Sequence, residues 1–103
     1  ADLAACREAL GELIDEFQPR LQRARAVRPV HKAVVKVRFA DFSRTTAECV
    51  ASHPDPTIWL ALLDEAHARR QLPVRLLGVG VRFAEAGAGS GDQAAQIELF
   101  APE

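Results

Sequence analysis

The sequence predicts an α+β domain: an antiparallel sheet with two helices packed on one of its faces, followed by a flexible C-terminal tail. Three observations carry this. Apolar residues recur at intervals of three and four at the start of the chain. From Val30, and again from Val74, they alternate with polar or small residues. Between these two stretches the break "HPDPT" introduces a second helical stripe.

Leu3, Cys6, Leu10, Leu13, Ile14, Phe17 and Leu21 fall on one face of a helix. Pro19 lies inside this run and is expected to kink it, or to end one segment and start another. Arg23 to Pro29 reads as a basic connector. From Val30 the period becomes two, with Val35, Val37 and Phe39 on one side and Lys32, Lys36 and Arg38 on the other. That is a half-buried strand with a cationic open face. "ADFS" suits a hairpin turn, with Asp41 as its turn residue, and "RTTAECVAS" a second strand. Asp55 is placed to cap a helix that starts at Pro56 and buries Trp59, Leu62, Leu63 and Ala66. "PVRLLGVGVRFA" forms a third strand, with Leu77, Val79, Val81 and Phe83 on one face and Leu76, Gly78, Gly80 and Arg82 on the other.

The polar stretch "EAGAGSGDQAA" reads as a linker, and "QIELF" after it as either a last strand or a docking peptide. A long polar loop seldom leads into an integral strand of so small a domain, which favours docking. The division expected is therefore a domain over residues 1–83, a linker over 84–95 and a tail over 96–103.

Length and composition, 103 residues with 49% apolar and 26% charged, fit one globular domain. No stretch approaches the roughly eighteen apolar residues of a membrane span. The chain has no methionine, and it is expected to be a piece of a longer protein. Cys6 and Cys49 lack metal-ligand spacing and suit reduced thiols of a cytoplasmic protein. The net charge of −1 hides a strong asymmetry, because residues 20–46 hold eight bases against Asp41 alone. Such a band inside a neutral domain points to an anionic partner, although a solvated helix end and loop would give the same count.

No catalytic set emerges. His31, His53 and His67 have no regular metal spacing, and "GVGVRF" sits within a strand rather than opening a helix as a phosphate loop does. The chain alone is not expected to be an enzyme. The open sheet face offers charge, hydroxyls and exposed backbone, which are the groups that hold phosphates without reading bases. A basic module for an acidic protein partner is the alternative from composition.

Taken together, "KVRFADFSRTT", "PVRLLGVGV" and "QIELF" resemble the little finger domain of Y-family DNA polymerases, nearest to the bacterial DNA polymerase IV group. In that family a Lys/Arg-rich strand enters a D-F-x-x-T-T turn. A helix, a V-R-L-[LV]-G-[VL] strand and a Q-L-x-L-F tail follow. The segments stand here as Lys36 to Phe39, Asp41 to Thr46, Val74 to Val79 and Gln96 to Phe100.

The resemblance implies a sheet lying in the DNA major groove against template and primer phosphates, with the helices turned away. It implies Lys36, Arg38, Arg44, Thr45 and Thr46 as DNA contacts, joined by Lys32 and by Arg75, which could instead brace the sheet. Gln96, Ile97, Leu99 and Phe100 would dock on the β sliding clamp. The parent enzyme would copy past damaged bases with Mg²⁺ held by palm carboxylates outside this chain. It would be cytoplasmic and nucleoid-associated in a bacterium, with no membrane role, and its palm, fingers and thumb would be further partners of this domain. Two departures stand out. Position 97 is Ile where the family often has Leu. The family's first strand, with its G-x-E-x-T-F-like segment, would precede "ADLAA", so a three-stranded sheet with an unpaired edge is expected.

Overall fold

The computed structural model describes residues 2–26 and 29–84, and the backbone of 93–98. Its elements are α1 (Leu3–Arg25), β1 (Val30–Phe39), β2 (Arg44–Val50), α2 (Pro56–Arg70), β3 (Val74–Phe83) and β4 (Gln93–Glu98). The strands form one antiparallel sheet in the order β2-β1-β3-β4, and the two helices pack on it. The α+β class with both helices on one face is as the sequence predicts.

Two expectations are corrected. Pro19 neither ends nor divides the first helix, because α1 runs through it to Arg25. The hydrogen bond it removes would have gone to the Asp15 carbonyl, and both residues are exposed, so water can serve that group. The sheet also has four strands, where the sequence predicts three. Residues 93–98, read as the end of the linker and the start of the tail, pair with β3 from Leu76↔Glu98 to Val81↔Gln93. Without β4 this side of β3 would present unpaired N–H and C=O groups, and an antiparallel return of the chain satisfies them. Leu99 and Phe100 lie outside the described residues.

The caps follow local chemistry. Asp2 accepts from the Ala5 amide at 2.8 Å, and Asp55 accepts from the Ile58 amide at 3.2 Å. At the end of α2, Gln71 takes the left-handed conformation, with φ 56°, and its amide bonds the His67 carbonyl.

The core lies between helices and sheet. α1 contributes Cys6, Leu10, Ile14 and Phe17, α2 contributes Trp59 and Leu63, and the sheet contributes Val35, Val37, Phe39, Leu77, Val79 and Val81. Trp59 ties both helices to the sheet. Its ring meets Phe17 edge-on at 6.0 Å and 77°, and its Nε1 donates to the Gly80 carbonyl at 3.1 Å. Burial raises the pKa of the Cys6 thiol, so Cys6 behaves as a core residue rather than a nucleophile. Neither cysteine is in a disulfide.

Candidate nucleic-acid interface

The face of the sheet away from the helices is laid out by strand register, because directly opposed residues project to the same side. One row holds Thr46, Lys36 and Gly78 on β2, β1 and β3; the next holds Arg44, Arg38 and Leu76. A third row holds Glu48, Val34 and Gly80, and a fourth holds Val50, Lys32 and Arg82. Alternation puts the first two rows beside the β1–β2 turn, which is where the uncompensated charge collects. Among the residues whose side chains the structure describes, no carboxylate pairs with Lys36, Arg38 or Arg44.

Arg38 directly opposes Arg44, an arrangement that destabilises an antiparallel pair unless something anionic lies between. A shallow concavity of about 290 Å³ opens here, lined by Lys36, Val37, Arg38, Arg44, Thr45, Thr46 and Leu76. Gly78, beside Lys36, leaves the surface low enough for a polymer backbone to approach.

The turn that fixes these rows is built locally. Asp41 Oδ1 accepts from the Ser43 hydroxyl at 2.6 Å and from the Ser43 amide at 2.9 Å. The Ser43 hydroxyl and then its amide hold the Asp41 carboxyl below its ordinary range. Asp41 is thus a turn residue. Phe42 takes a left-handed φ of 69° and remains 60% exposed, with the Arg75 guanidinium 4.7 Å from its ring centre.

The structure divides the residues singled out from sequence. Lys36, Arg38, Arg44 and Thr46 come together on the open face. Thr45 opposes Val37 on the helix-facing side, and its hydroxyl accepts from Arg69 at 2.6 Å. The same guanidinium donates to the Thr46 carbonyl at 2.8 Å and pairs with Glu65, tying α2 to the free edge of β2. Arg75 is the residue passed over where the β1–β3 register shifts between Arg38 and Phe39, and that bulge places it against Phe42. Lys32 lies 3.7 Å from Glu48. Gln96 and Ile97 pair with Gly78 and Leu77.

Glu48 is the residue that sequence reasoning missed. The signal was present, since Arg44, Thr46, Glu48 and Val50 alternate with Thr45, Ala47 and Cys49, which places an acid on the cationic face. Among the described residues no group of three or more acidic, His or Cys side chains is placed to hold a metal ion. His31, His53 and His67 stand apart on β1, before α2 and on α2. No described helix is long and apolar enough to cross a membrane.

Residues 1–99 match the model of the impB/mucB/samB family C-terminal domain. The chain belongs to this family. The lysine-rich strand, the D-F-x-x-T-T turn and the V-R-L-L-G-V strand all lie within the matched residues, so motif resemblance and family match agree on a Y-family, DNA polymerase IV-like C-terminal domain. Among its curated relatives, DNA polymerase IV of Ralstonia nicotianae is 46% identical over 89 residues, 86% of this chain and 25% of that protein. The enzyme of the same name from Ectopseudomonas mendocina is 46% identical over 97% of this chain and 27% of its own length. That of Pseudomonas putida is 43% identical over 99% of this chain and 28% of its own. The family domain described here thus spans about a quarter of the length of these relatives. No solved structure matches it.

Proposed function

We propose that this chain is the non-catalytic DNA-gripping domain of a DNA polymerase IV-like translesion enzyme. In this reading the open sheet face lies in the major groove of the primer-template duplex and touches phosphates rather than bases. One observation carries it. Lys36, Arg38 and Arg44 converge beside the Thr46 hydroxyl, and no carboxylate among the residues with described side chains pairs with them. Nucleotidyl transfer, with Mg²⁺ held by palm carboxylates, belongs to the rest of the parent chain. The reading places the parent in the bacterial cytoplasm, at the nucleoid.

Three phosphate contacts give a slope of about −2.7 in log K against log salt, from about −0.9 per contact. Retention on duplex DNA is therefore expected to fall by that slope and to exceed retention on a polyglutamate of equal charge density. Equal retention on both polymers would favour a module for acidic proteins and sink the DNA reading.

The second part of the proposal is a tether. Gln96, Ile97, Leu99 and Phe100 form a docking peptide for the ring-shaped β sliding clamp, with Leu99 and Phe100 as its plugs. Docking requires Gln96 and Ile97 to leave β3. Burying Leu99 and Phe100 contributes about 1.5–3 kcal/mol each. A micromolar complex requires about 8 kcal/mol, so the tail acts through avidity once the parent is on DNA. Leu99→Ala with Phe100→Ala is expected to remove clamp binding, read by surface plasmon resonance, while duplex affinity stays unchanged. Loss of both together would make the tail part of the fold instead.

A further inference from the structure

The open face is not uniformly cationic, and one residue draws the boundary. Glu48 stands on β2 opposite Val34. Its Oε1 accepts from Arg82 Nε at 3.1 Å, two strands away on β3, and lies 3.7 Å from Lys32 Nζ on β1. The carboxylate therefore forms an ionic strap across the central strand. Beneath it Val34 is only 4% exposed, although it projects to the side that the helices do not cover. Gly80, on the far side of Val34, has no side chain to obstruct the reach. The half of the face near the β1–β2 turn keeps its charge, and in the other half a carboxylate engages Lys32.

We propose that Glu48 is the residue that limits the length of the phosphate grip, by holding Lys32 and repelling a polyanion from the second half of the face. The inference rests on the proposed DNA-binding reading of this face. Exposed ion pairs are weak individually, so the strap does not lock the sheet. It acts as a fixed negative charge where the phosphate backbone would otherwise continue. A grip confined to one end of the sheet stays weak and salt-sensitive, as suits a domain that must follow the duplex as it lengthens.

The test is equilibrium binding of the full chain to a labelled mixed-sequence duplex, by fluorescence anisotropy over a salt series. Glu48→Gln keeps the shape and removes the charge. It is expected to steepen the log K against log salt slope by about 0.9, one added phosphate contact, and to tighten binding about eightfold at 0.1 M relative to 1 M salt. Glu48→Thr, which keeps a β-forming side chain, is expected to give the same shift, and guards against a folding defect of the first variant. Adding Lys32→Gln to Glu48→Gln is expected to return slope and affinity to their starting values. Unchanged slope and affinity in both Glu48 variants, with Lys36→Glu/Arg38→Glu still abolishing binding, would overturn the inference. Intact binding in Lys36→Glu/Arg38→Glu would instead defeat the underlying reading of the face.

Discussion

Lys36→Glu combined with Arg38→Glu is expected to abolish the proposed duplex binding while leaving the fold intact. Every phosphate that goes unneutralised takes about 0.9 off the salt slope, so two cost roughly 60-fold at 0.1 M relative to 1 M salt. The two carboxylates then repel the phosphates from the row that also holds Thr46 and Gly78. The fold is spared because Lys36 is exposed and Arg38 half-buried, and neither belongs to the core. The change even relieves a conflict, since a carboxylate in place of Arg38 would oppose Arg44 where two arginines now face each other. Anisotropy against duplex DNA reads the loss, and thermal melting followed by circular dichroism confirms a folded domain. Unchanged affinity in a folded variant would place any DNA-binding surface elsewhere on the molecule.

The second large effect is on stability. Trp59→Ala is expected to cost about 3–5 kcal/mol, the range for removing a large buried aromatic. Against a total of about 5–15 kcal/mol for a domain, this removes a large share of the stability. The reason is its position. Trp59 is fully buried on α2, meets Phe17 of α1 edge-on and bonds the Gly80 carbonyl of β3. Trp59→Phe keeps a ring against Phe17 but removes the donor to Gly80, and is expected to fall between wild type and alanine. Urea unfolding measures both. A Trp59→Ala midpoint within experimental error of wild type would mean that Trp59 does not join these layers.

What could be read in advance follows from the physics of each signal. Period two in Val35, Val37 and Phe39, against Lys36 and Arg38, is a strong local pattern, and it placed β1 and its cationic face correctly. Asp55 before Pro56 set the start of α2 through a short-range hydrogen bond that needs no tertiary context. Pro19 misled because a missing helical bond is harmless at an exposed turn, and exposure depends on where the rest of the chain packs. β4 was one of two readings of the tail and the less favoured, because its pairing with β3 is a long-range choice that the polar composition of residues 85–95 does not encode. Thr45 was grouped with Thr46 through the D-F-x-x-T-T resemblance, although neighbours on a strand project to opposite faces. The reach of Glu48 to Arg82 spans 34 positions in sequence and depends on the strand order β2-β1-β3.

If the open face binds DNA as proposed, the Arg38–Arg44 opposition makes folding and ligand occupancy one linked equilibrium. With nothing bound, the hairpin that joins β1 to β2 holds two like charges side by side and lowers its own local stability. A polyanion seated between them removes that repulsion, so the bound hairpin opens less often than the free one. In that reading the domain is most cohesive when loaded.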